Sequence, residues 1–434
     1  MANSPRRTVA SGVLKAADPN DVPRSQETEE EWGVSGPLEG VKVVELGMWV
    51  AGPACAGILA DWGADVIKLE PPGGGDPART YQALFGTMMP DNPVFEMDNR
   101  SKKSLAVDLR TAEGQALALE LLDDADVFVT NLRRAALERW GLGPDDVMAR
   151  NPRLVYQLIT GYGMEGPDAA RPAYDIGGFW ARSGVASLLQ TPDGPLPFQR
   201  GGMGDHPTGS SASAAVCAAL FSRERTGEGQ LVSTSLVRQG VYTIGFDLSI
   251  TLGWGDHIGI GARETMGNPA MNNYTCGDGK KIWLIGQEAH RHWPPLCRVV
   301  GHPEWIEEGP YATPLGRREN ARDLIAELDG IFATKSRDEW AEIFDTEPDM
   351  FWAPVNDIDD VLIDEQVHAA GAFIEVPEAN GSAMRVASPS DFYGTPWAAR
   401  SGAPELGQHT REVLRSMGRT DAEIDAMFEA GTVA

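Results

Sequence analysis

Short apolar runs alternate with amphipathic segments along the first half of the chain. Six of these runs have the length and apolar content that predict strands: residues 41–46, 65–70, 104–109, 126–131, 154–160 and 232–236. Helical character is found between them, in a segment that ends at Trp62 and in another that follows the predicted N-cap Thr111. A strand, a helix and a strand within about thirty residues form a βαβ unit, which implies a parallel sheet with right-handed crossovers. The pattern therefore predicts an α/β fold.

Changes in this pattern divide the chain into four predicted parts. Residues 1–36 are polar and charge-mixed, which predicts an extension without a core of its own. Residues 37–230 form the first part of a large α/β domain, and residues 231–349 form linkers and a smaller domain. Residues 350–434 carry short strand and helix patterns, and we expect them to return to the large domain.

Charge and cysteine content narrow the function classes. The chain of 434 residues has 63 acidic and 37 basic residues, a formal net charge of −26. This balance argues against binding to nucleic acid or to an anionic membrane, because phosphate contacts need clustered cations. The four cysteines form no C-x-x-C pair, so neither a disulfide framework nor a zinc knuckle is expected. The longest uncharged apolar stretch is broken by glycines and a proline and is too short to span a bilayer, so we expect a cytoplasmic protein.

Common catalytic and nucleotide-binding motifs are absent from the sequence. Residues 227–229 lack the third glycine of a dinucleotide loop, and no P-loop pattern occurs. Residues 209–213 lack the last glycine of a serine-hydrolase elbow and are more typical of a small-residue helix packed closely on a neighbour. His290 and His292 would lie on different faces of a helix without a third ligand nearby, so we expect no metal site.

Two polar features are candidates for chemistry. Arg100, Lys102 and Lys103 place three cations within four residues just before a predicted strand, which fits a phosphate clamp or a solvated loop. Asp175 follows a loop rich in glycine and proline at a point where a helix is predicted to begin. Its carboxylate could be a helix cap or a nucleophile kept ionised by helix N–H groups.

Eleven segments, taken together and in order, resemble the class III CoA-transferase family, whose branches include formyl-CoA and crotonobetaine/carnitine CoA-transferases and α-methylacyl-CoA racemase. The matching segments are residues 37–46, 51–55, 63–70, 75–79, 99–104, 142–143, 151–154, 161–163, 171–175, 225–230 and 407–410. The resemblance implies a large Rossmann-like parallel-sheet domain built from the N- and C-terminal parts, plus a smaller α+β domain. It also implies a homodimer in which each chain threads through the other.

The family resemblance assigns the role of nucleophile to Asp175. Its carboxylate would attack an acyl-CoA thioester to give an acyl-aspartyl anhydride, and CoA would then pass through an aspartyl-CoA thioester to a free carboxylic acid. Backbone N–H groups from residues 201–204 are expected where the oxyanion develops. The implied partners are an acyl-CoA, a carboxylic acid and a second copy of the chain. CoA thioester is a substrate, and no permanently bound cofactor is expected.

Contacts to CoA are also implied by the resemblance. They fall on Val50, Ala51, Pro71, Ser101, Lys102, Lys103, Thr160, Gly161 and Tyr162. Some family members have an arginine where Pro71 stands, so Arg79 or Arg100 is the expected substitute. The four-glycine lid of some transferases is absent from the sequence, which leaves the acyl donor and the acceptor acid open.

Rival functions are less consistent with the residues. The racemase branch usually has Gly-His-Asp at the aspartate and a second histidine upstream, whereas this chain has Ala173 and Tyr174 before Asp175, and its first histidine is His206. A two-base proton transfer would therefore lack its imidazole. A CoA-dependent lyase or hydrolase and a non-catalytic CoA-thioester-binding protein are the remaining alternatives.

Overall fold

A parallel sheet of six strands forms the centre of the structure. The computed structural model describes residues 36–81, 92–192, 194–257, 259, 261–378 and 381–434. The strands are β1 (Lys42–Leu46), β2 (Asp65–Glu70), β3 (Lys103–Ala106), β4 (Val127–Thr130), β5 (Val155–Thr160) and β6 (Leu231–Ser235). Their order is β3-β2-β1-β4-β5-β6, and all neighbours are parallel. This is a Rossmann-like sheet, so the predicted α/β fold is confirmed.

Helices cover both faces of this sheet. Those that connect or flank its strands are α1 (Ala51–Asp61), α2 (Pro93–Asn99), α3 (Ala112–Asp123), α4 (Arg134–Arg139), α5 (Pro144–Arg150), α6 (Val185–Leu188) and α7 (Asp205–Thr226). Thr111 caps α3 as predicted, since its hydroxyl accepts the Gly114 N–H at 3.0 Å. Val43 and Val44 of β1 belong to two different apolar clusters, because successive side chains of a strand point to opposite faces.

A smaller domain is built on an antiparallel sheet of three strands. Its strands are β7 (Asn273–Thr275), β8 (Lys281–Leu284) and β9 (Trp352–Val355). Two helices lead to this domain, α8 (Leu236–Thr243), which packs on the π-helix region of the large domain, and α9 (Gly245–Trp254). The helices of the small domain are α10 (Ala289–Val299), α11 (Pro314–Glu319), α12 (Ala321–Phe332) and α13 (Arg337–Phe344). Tyr274, Phe332 and Trp340 are fully buried in its core. β9 pairs with β8 and forms one side of this sheet.

The last part of the chain returns to the parallel sheet. Its elements are α14 (Ile358–Ile363), α15 (Glu365–Ala369), the hairpin β10 (Phe373–Glu378) and β11 (Gly381–Val386), α16 (Thr410–Ser416) and α17 (Asp421–Glu429). Leu414 and Ile424 share an apolar cluster with Leu105 of β3. Ala106 donates its N–H to the Thr410 hydroxyl at 3.2 Å and accepts the Ala434 N–H at 3.1 Å. The large domain is therefore assembled from distant parts of the chain.

Four charged side chains are fully buried where β1, β2 and β3 meet. The Lys68 ammonium lies 2.7 Å from Glu45 and 2.9 Å from Asp76, and Lys102 lies 2.7 Å from the other Glu45 oxygen. Burial alone would raise the pKa of Glu45, but the two lysines outweigh it and lower this pKa. Burial likewise opposes the charge of Lys68, whose pKa is nevertheless raised by Glu45 and Asp76. Two cations and two carboxylates thus form a neutral buried quartet.

Two expectations concern the polar extension and the absence of a membrane-spanning segment. The predicted polar extension lies outside the described residues except for Gly36. Within the part of the chain that is described, no helix combines the length and the apolar character needed to cross a membrane.

Candidate active site

Asp175 lies after β5, at the start of a π-helix that covers Ile176–Arg182. Oδ1 of its carboxylate accepts the Ile176 N–H at 2.8 Å. Oδ2 accepts the side-chain amide N–H of Gln199 at 2.8 Å and the backbone N–H of Gly204 at 3.3 Å. Single π-helical turns inside a helical segment are often found at functional sites. Three N–H groups from three chain segments therefore hold this carboxylate in one orientation.

Gly204 brings the predicted oxyanion segment, residues 201–204, to Asp175. It stands directly before α7, and its backbone N–H is the donor that reaches the carboxylate. A Cβ atom at this position would lie 2.6 Å from the Phe179 side chain. Only glycine therefore permits the backbone to approach the π-helix this closely.

Gln199 was not predicted from the sequence, because a single glutamine in a segment without a motif carries no signal. Its side chain is 5% exposed. A carboxylate oxygen only accepts hydrogen bonds, so the amide nitrogen must face Asp175. The amide oxygen then faces inward, and no described residue donates a hydrogen bond to it. An unsatisfied buried acceptor of this kind costs about 1–3 kcal/mol, which indicates that something other than stability keeps the amide in place.

Trp49 forms an aromatic side of the site. Its φ of 64° lies in the left-handed region, and its N–H is held at 2.9 Å by Asp76 of the buried quartet. The indole centroid lies 5.9 Å from the Tyr174 ring and 5.6 Å from the Tyr81 ring, with both contacts edge to face. The quartet therefore fixes a strained backbone that places Trp49 beside the residue preceding Asp175.

A second group of titratable side chains lies near Asp175. His206 contacts Asp98 at 3.2 Å; burial would lower the pKa of His206, but Asp98 and Asp205 outweigh it and raise this pKa. Burial, followed by the charge of Asp175, raises the pKa of Asp205 to about 7. Burial and then Asp205 raise the pKa of Tyr81 to about 12. Asp205 is thus a carboxyl that stays largely neutral below pH 7.

Asp205 makes folding stability depend on pH. A carboxyl whose pKa is raised on folding from 3.8 to about 7 contributes stability below its unfolded pKa and loses that contribution as the pH rises through its folded pKa. We therefore expect the unfolding free energy of the wild type to fall by ~2–4 kcal/mol more than that of Asp205→Asn between acidic and mildly alkaline pH. Urea unfolding at several pH values measures this difference. Asp145→Asn, at an exposed carboxyl, should follow the wild type; equal pH dependence of all three proteins would contradict the assignment.

Two cavities lie at the carboxyl ends of the parallel strands. The larger, of about 290 Å³, is lined mainly by apolar residues, Pro71 among them, and its charged lining residues are Glu70, Asp76, Asp108 and Arg110. The smaller, of about 100 Å³, lies at the ends of β4 and β5 and includes Ala173. Leu132 lines both cavities, and Ala173 stands two residues before Asp175. Open α/β sheets bind ligands at this edge, where the strand order reverses between β1 and β4.

The predicted CoA contacts divide into two groups, and the uncharged ones lie near the cavities or the site. Pro71 lines the larger cavity, and Thr160 and Gly161 line the smaller one. A Cβ on Gly161 would meet that of Ala173 at 2.2 Å, so this close approach requires glycine. The Tyr162 ring lies beneath the Arg182 guanidinium in the π-helix. Val50 and Ala51 are buried at the start of α1, directly after Trp49.

Two predicted arginines are paired with carboxylates of the large domain. Arg79 binds Glu70 through two hydrogen bonds of 2.8 Å and donates a third to the Pro404 carbonyl. Arg100 binds Asp61 at 2.9 and 2.6 Å and also reaches the C-terminal part. Both guanidinium groups therefore join the two parts of the large domain. Neither one lines either of the two cavities described above.

The other members of the predicted phosphate clamp also have protein partners. Lys102 is fully buried and donates to Glu45. The Ser101 hydroxyl accepts the backbone N–H of Arg400 at 2.9 Å. Lys103 lies 3.3 Å from Asp65 at the edge of the sheet. The sequence shows how densely the cations are placed but not that their partners lie far along the chain. Phosphate binding by these residues stays a prediction, and their geometry favours a structural role.

Other arginines line the cavities and were missed. Arg110 borders the larger cavity, and Arg133, Arg134 and Arg171 border the smaller one; all four are exposed. Arg133 and Arg134 directly follow strand β4 in the segment Asn131-Leu-Arg-Arg, a position that could have indicated them. Across the described ranges, no cluster of three or more His, Cys, Asp or Glu side chains is arranged to hold a metal ion.

Comparison with known proteins assigns the chain to a family. Residues 38–410 match the family model that is described as CoA-transferase family III. The protein belongs to CoA-transferase family III. The predicted resemblance is thereby confirmed, and with it the prediction that the chain is a CoA-transferase; enzymes of this family use CoA thioesters and carboxylates as substrates.

Individual relatives of this CoA-transferase match over nearly their whole length. It is 33% identical to an (R)-2-hydroxy-4-methylpentanoate CoA-transferase of Clostridioides difficile, over 91% of this chain and 99% of that protein. It is 30% identical to a cinnamoyl-CoA:phenyllactate CoA-transferase of Clostridium sporogenes, over 90% and 95% of the two chains. A crystal structure of a CaiB/BaiF family protein from Brucella suis is similar with a TM-score of 0.76 at 28% identity, covering 88% of this chain and all of that one.

Proposed function

We propose that this CoA-transferase moves CoA from an acyl-CoA to a free carboxylic acid through covalent intermediates on Asp175. The observation that carries the proposal is the position of this carboxylate, which three N–H groups hold two residues after Ala173, a lining residue of the smaller cavity at the carboxyl edge of the sheet. A carboxylate suits the reaction because its anhydride and its thioester both conserve the energy of the incoming thioester.

The atoms and charges in the proposed reaction steps balance without any other reactant. An Asp175 oxygen attacks the thioester carbon, the C–S bond breaks, and CoA leaves as a thiolate. The thiolate attacks Cγ of the anhydride and releases the donor acid. The acceptor carboxylate then attacks Cγ of the aspartyl-CoA thioester and expels the thiolate, which gives a second anhydride. The thiolate attacks the acceptor's acyl carbon in this anhydride, forms the new acyl-CoA and releases the Asp175 carboxylate.

The apolar lining of the larger cavity and the arginines of the smaller one support an extended CoA site. The larger, mostly apolar cavity suits the adenine ring, and the arginines of the smaller cavity suit phosphate groups. A thioester arm that passes Leu132 and Ala173 would reach Asp175. We place CoA contacts at Pro71, Thr160 and Gly161 with neighbouring Tyr162, Val50 and Ala51. Arg79, Arg100, Ser101, Lys102 and Lys103 are assigned a structural role in the large domain.

Leu132 offers a test of this CoA site because it is half-buried and lines both cavities. Leu132→Trp should fill the passage and raise the Kd for CoA thioesters by about ten- to a hundredfold, since an overpacked contact costs about 1–3 kcal/mol. Isothermal titration with acetyl-CoA measures the change. Leu119→Trp, a half-buried position on α3 outside both cavities, is the control. Unchanged affinity in Leu132→Trp would exclude this path.

We propose a 2-hydroxycarboxylic acid as the acceptor. The support comes from the two relatives described above, since 2-hydroxy-4-methylpentanoate and phenyllactate are both 2-hydroxy acids. The decisive experiment offers the enzyme these two acids, their deoxy counterparts 4-methylpentanoate and 3-phenylpropanoate, and also oxalate. Cinnamoyl-CoA, 4-methylpentanoyl-CoA and acetyl-CoA serve as donors, and mass spectrometry identifies each new CoA thioester.

The outcomes of this experiment separate the substrate class from the activity. Faster transfer to each hydroxy acid than to its deoxy counterpart supports the proposal. Preference for a deoxy acid or for oxalate would keep the transferase and overturn the acceptor class. Formation of new thioesters without CoA ever being bound to Asp175 would overturn the covalent route.

We further propose that the enzyme is an interlocked homodimer in the cytoplasm. Support comes from α9, which has no buried residue and exposes Phe246, Leu252 and Trp254 by 78%, 87% and 68%. Apolar surface of this extent is typical of a covered interface. The four cysteines are free, which fits a reducing compartment. Light scattering that gives the mass of one chain would contradict the dimer.

A further inference from the structure

The two oxygens of the Asp175 carboxylate have unequal surroundings. Oδ1 accepts only the N–H of the next residue, Ile176. Oδ2 accepts two donors from outside the π-helix, the amide of Gln199 and the backbone N–H of Gly204. An oxygen with two convergent N–H donors is in the environment that stabilises an oxyanion, whereas the other oxygen keeps more of its lone pairs available.

We propose that Gln199 is a catalytic residue, and that its amide N–H and the Gly204 N–H form the oxyanion site for the carboxyl carbon of Asp175 itself. Oδ1 is then the oxygen that attacks the acyl-CoA and later leaves with the released acid. Oδ2 is the oxygen that remains on the enzyme. This inference rests on the proposed function, because it concerns the intermediates formed on Asp175.

This assignment determines how the electron pairs move in the two steps at Cγ. When the CoA thiolate attacks Cγ of the anhydride, the electron pair of the Cγ–Oδ2 double bond moves onto Oδ2, and its return breaks the Cγ–Oδ1 bond. When the acceptor carboxylate attacks the aspartyl-CoA thioester, charge again collects on Oδ2, and its return breaks the C–S bond. Both steps therefore place negative charge where Gln199 and Gly204 donate.

Burial makes the Gln199 amide a suitable donor for this charge. The side chain is 95% buried, and the amide cannot turn round, because its oxygen would then face a carboxylate oxygen. Its own oxygen has no donor among the described residues. The dipole is thus fixed before the reaction begins, which is the condition for effective stabilisation of a transition state.

The test compares Gln199→Met, which keeps the side-chain volume but removes the donor, with the matched control Gln190→Met. Gln190 is half-buried in the same region and donates to the Gly194 carbonyl, away from Asp175. Enzyme and cinnamoyl-CoA are mixed, quenched at successive times and analysed by intact-protein mass spectrometry for gain of CoA less one water. Phenyllactate is then added, and loss of the bound CoA is followed.

Gln199→Met should gain and lose CoA on Asp175 about 10²-fold more slowly than the wild type, the loss typical of removing one oxyanion donor. Its Kd for acetyl-CoA should stay within about twofold, since Gln199 lines neither of the two cavities proposed to hold CoA. Gln190→Met should match the wild type. Wild-type rates in Gln199→Met would overturn the inference.

Gln199→Glu gives an independent test should Gln199→Met be poorly folded. A neutral glutamic acid can donate a hydrogen bond to Oδ2, whereas the ionised form cannot. The rate of this variant relative to the wild type should therefore rise by about tenfold for each unit of falling pH above the pKa of the new carboxyl. A pH-independent ratio would contradict the inference. A wild type that never carries CoA on Asp175 would instead overturn the proposed function.

Discussion

Replacing Asp175 by asparagine should lower kcat for CoA transfer by roughly 10⁴-fold or more, because the covalent route has no other nucleophile. The asparagine amide is nearly isosteric, and the predicted CoA contacts lie on other residues. The Kd for acetyl-CoA should therefore change by no more than about twofold, which corresponds to less than half a kcal/mol. Steady-state kinetics with cinnamoyl-CoA and phenyllactate, together with isothermal titration, measure both quantities.

Asp205→Asn is the matched control, since it makes the same substitution at a neighbouring carboxyl that donates no electrons to the reaction. We expect it to keep more than about a tenth of wild-type kcat, as a change in local charge alone is worth little more than one kcal/mol. Asp175→Ala guards against slow deamidation of the asparagine. Substantial turnover in both Asp175 variants would remove this residue from the mechanism.

Replacing Glu45 by glutamine should destabilise the large domain by about 3–5 kcal/mol, because it removes the one carboxylate that contacts both of the buried ammonium groups, Lys68 and Lys102. Breaking a buried ion pair is costly even when the new side chain has nearly the same shape. The urea midpoint of the parallel-sheet domain, followed by tryptophan fluorescence, measures the loss. The same variant should also lower activity, since Asp76 of this quartet holds Trp49 at the site.

Two comparisons make the Glu45 result interpretable. Glu138→Gln breaks an exposed pair with Arg134 and should cost less than about 0.5 kcal/mol. Adding Lys102→Met to Glu45→Gln removes the excess charge and should recover part of the lost stability, with a coupling of about 1–3 kcal/mol. A double variant as unstable as the sum of the two single variants would show that charge balance is not the cause.

The parallel sheet was predictable because most of its strands lie in short runs rich in apolar residues, separated by segments of helical character. Residues 126–131 and 154–160 contain β4 and β5, and the residue that caps α3 was identified correctly. The signal weakens at β3, where residues 104–109 were expected and Lys103–Ala106 was found. There the chain leaves the sheet to meet the C-terminal part, a contact that local pattern cannot show.

The candidate site was predictable only in part, for a related reason. Asp175 follows a recognisable loop, and residues 201–204 were expected to supply a donor. Gln199 has no motif, and its importance arises from where the fold brings its amide. The cations from Arg100 to Lys103 show the reverse case, a local pattern that suggests a ligand site where the fold supplies protein partners. Carboxylates 39 and 57 residues upstream bind Arg100 and Lys102.

The attachment of the C-terminal part to β3 has a consequence for protein synthesis. β3 is an edge strand of the parallel sheet, and its Ser104 N–H is bound by His409, a residue 305 positions later. At 5–20 residues per second, a ribosome needs roughly 15–60 s to make that stretch. Throughout this interval the nascent chain presents an uncovered strand edge that other chains can pair with. Chaperone contact at this stage, or release of chains cut short before residue 405, should therefore decide how much of the enzyme is lost to aggregation.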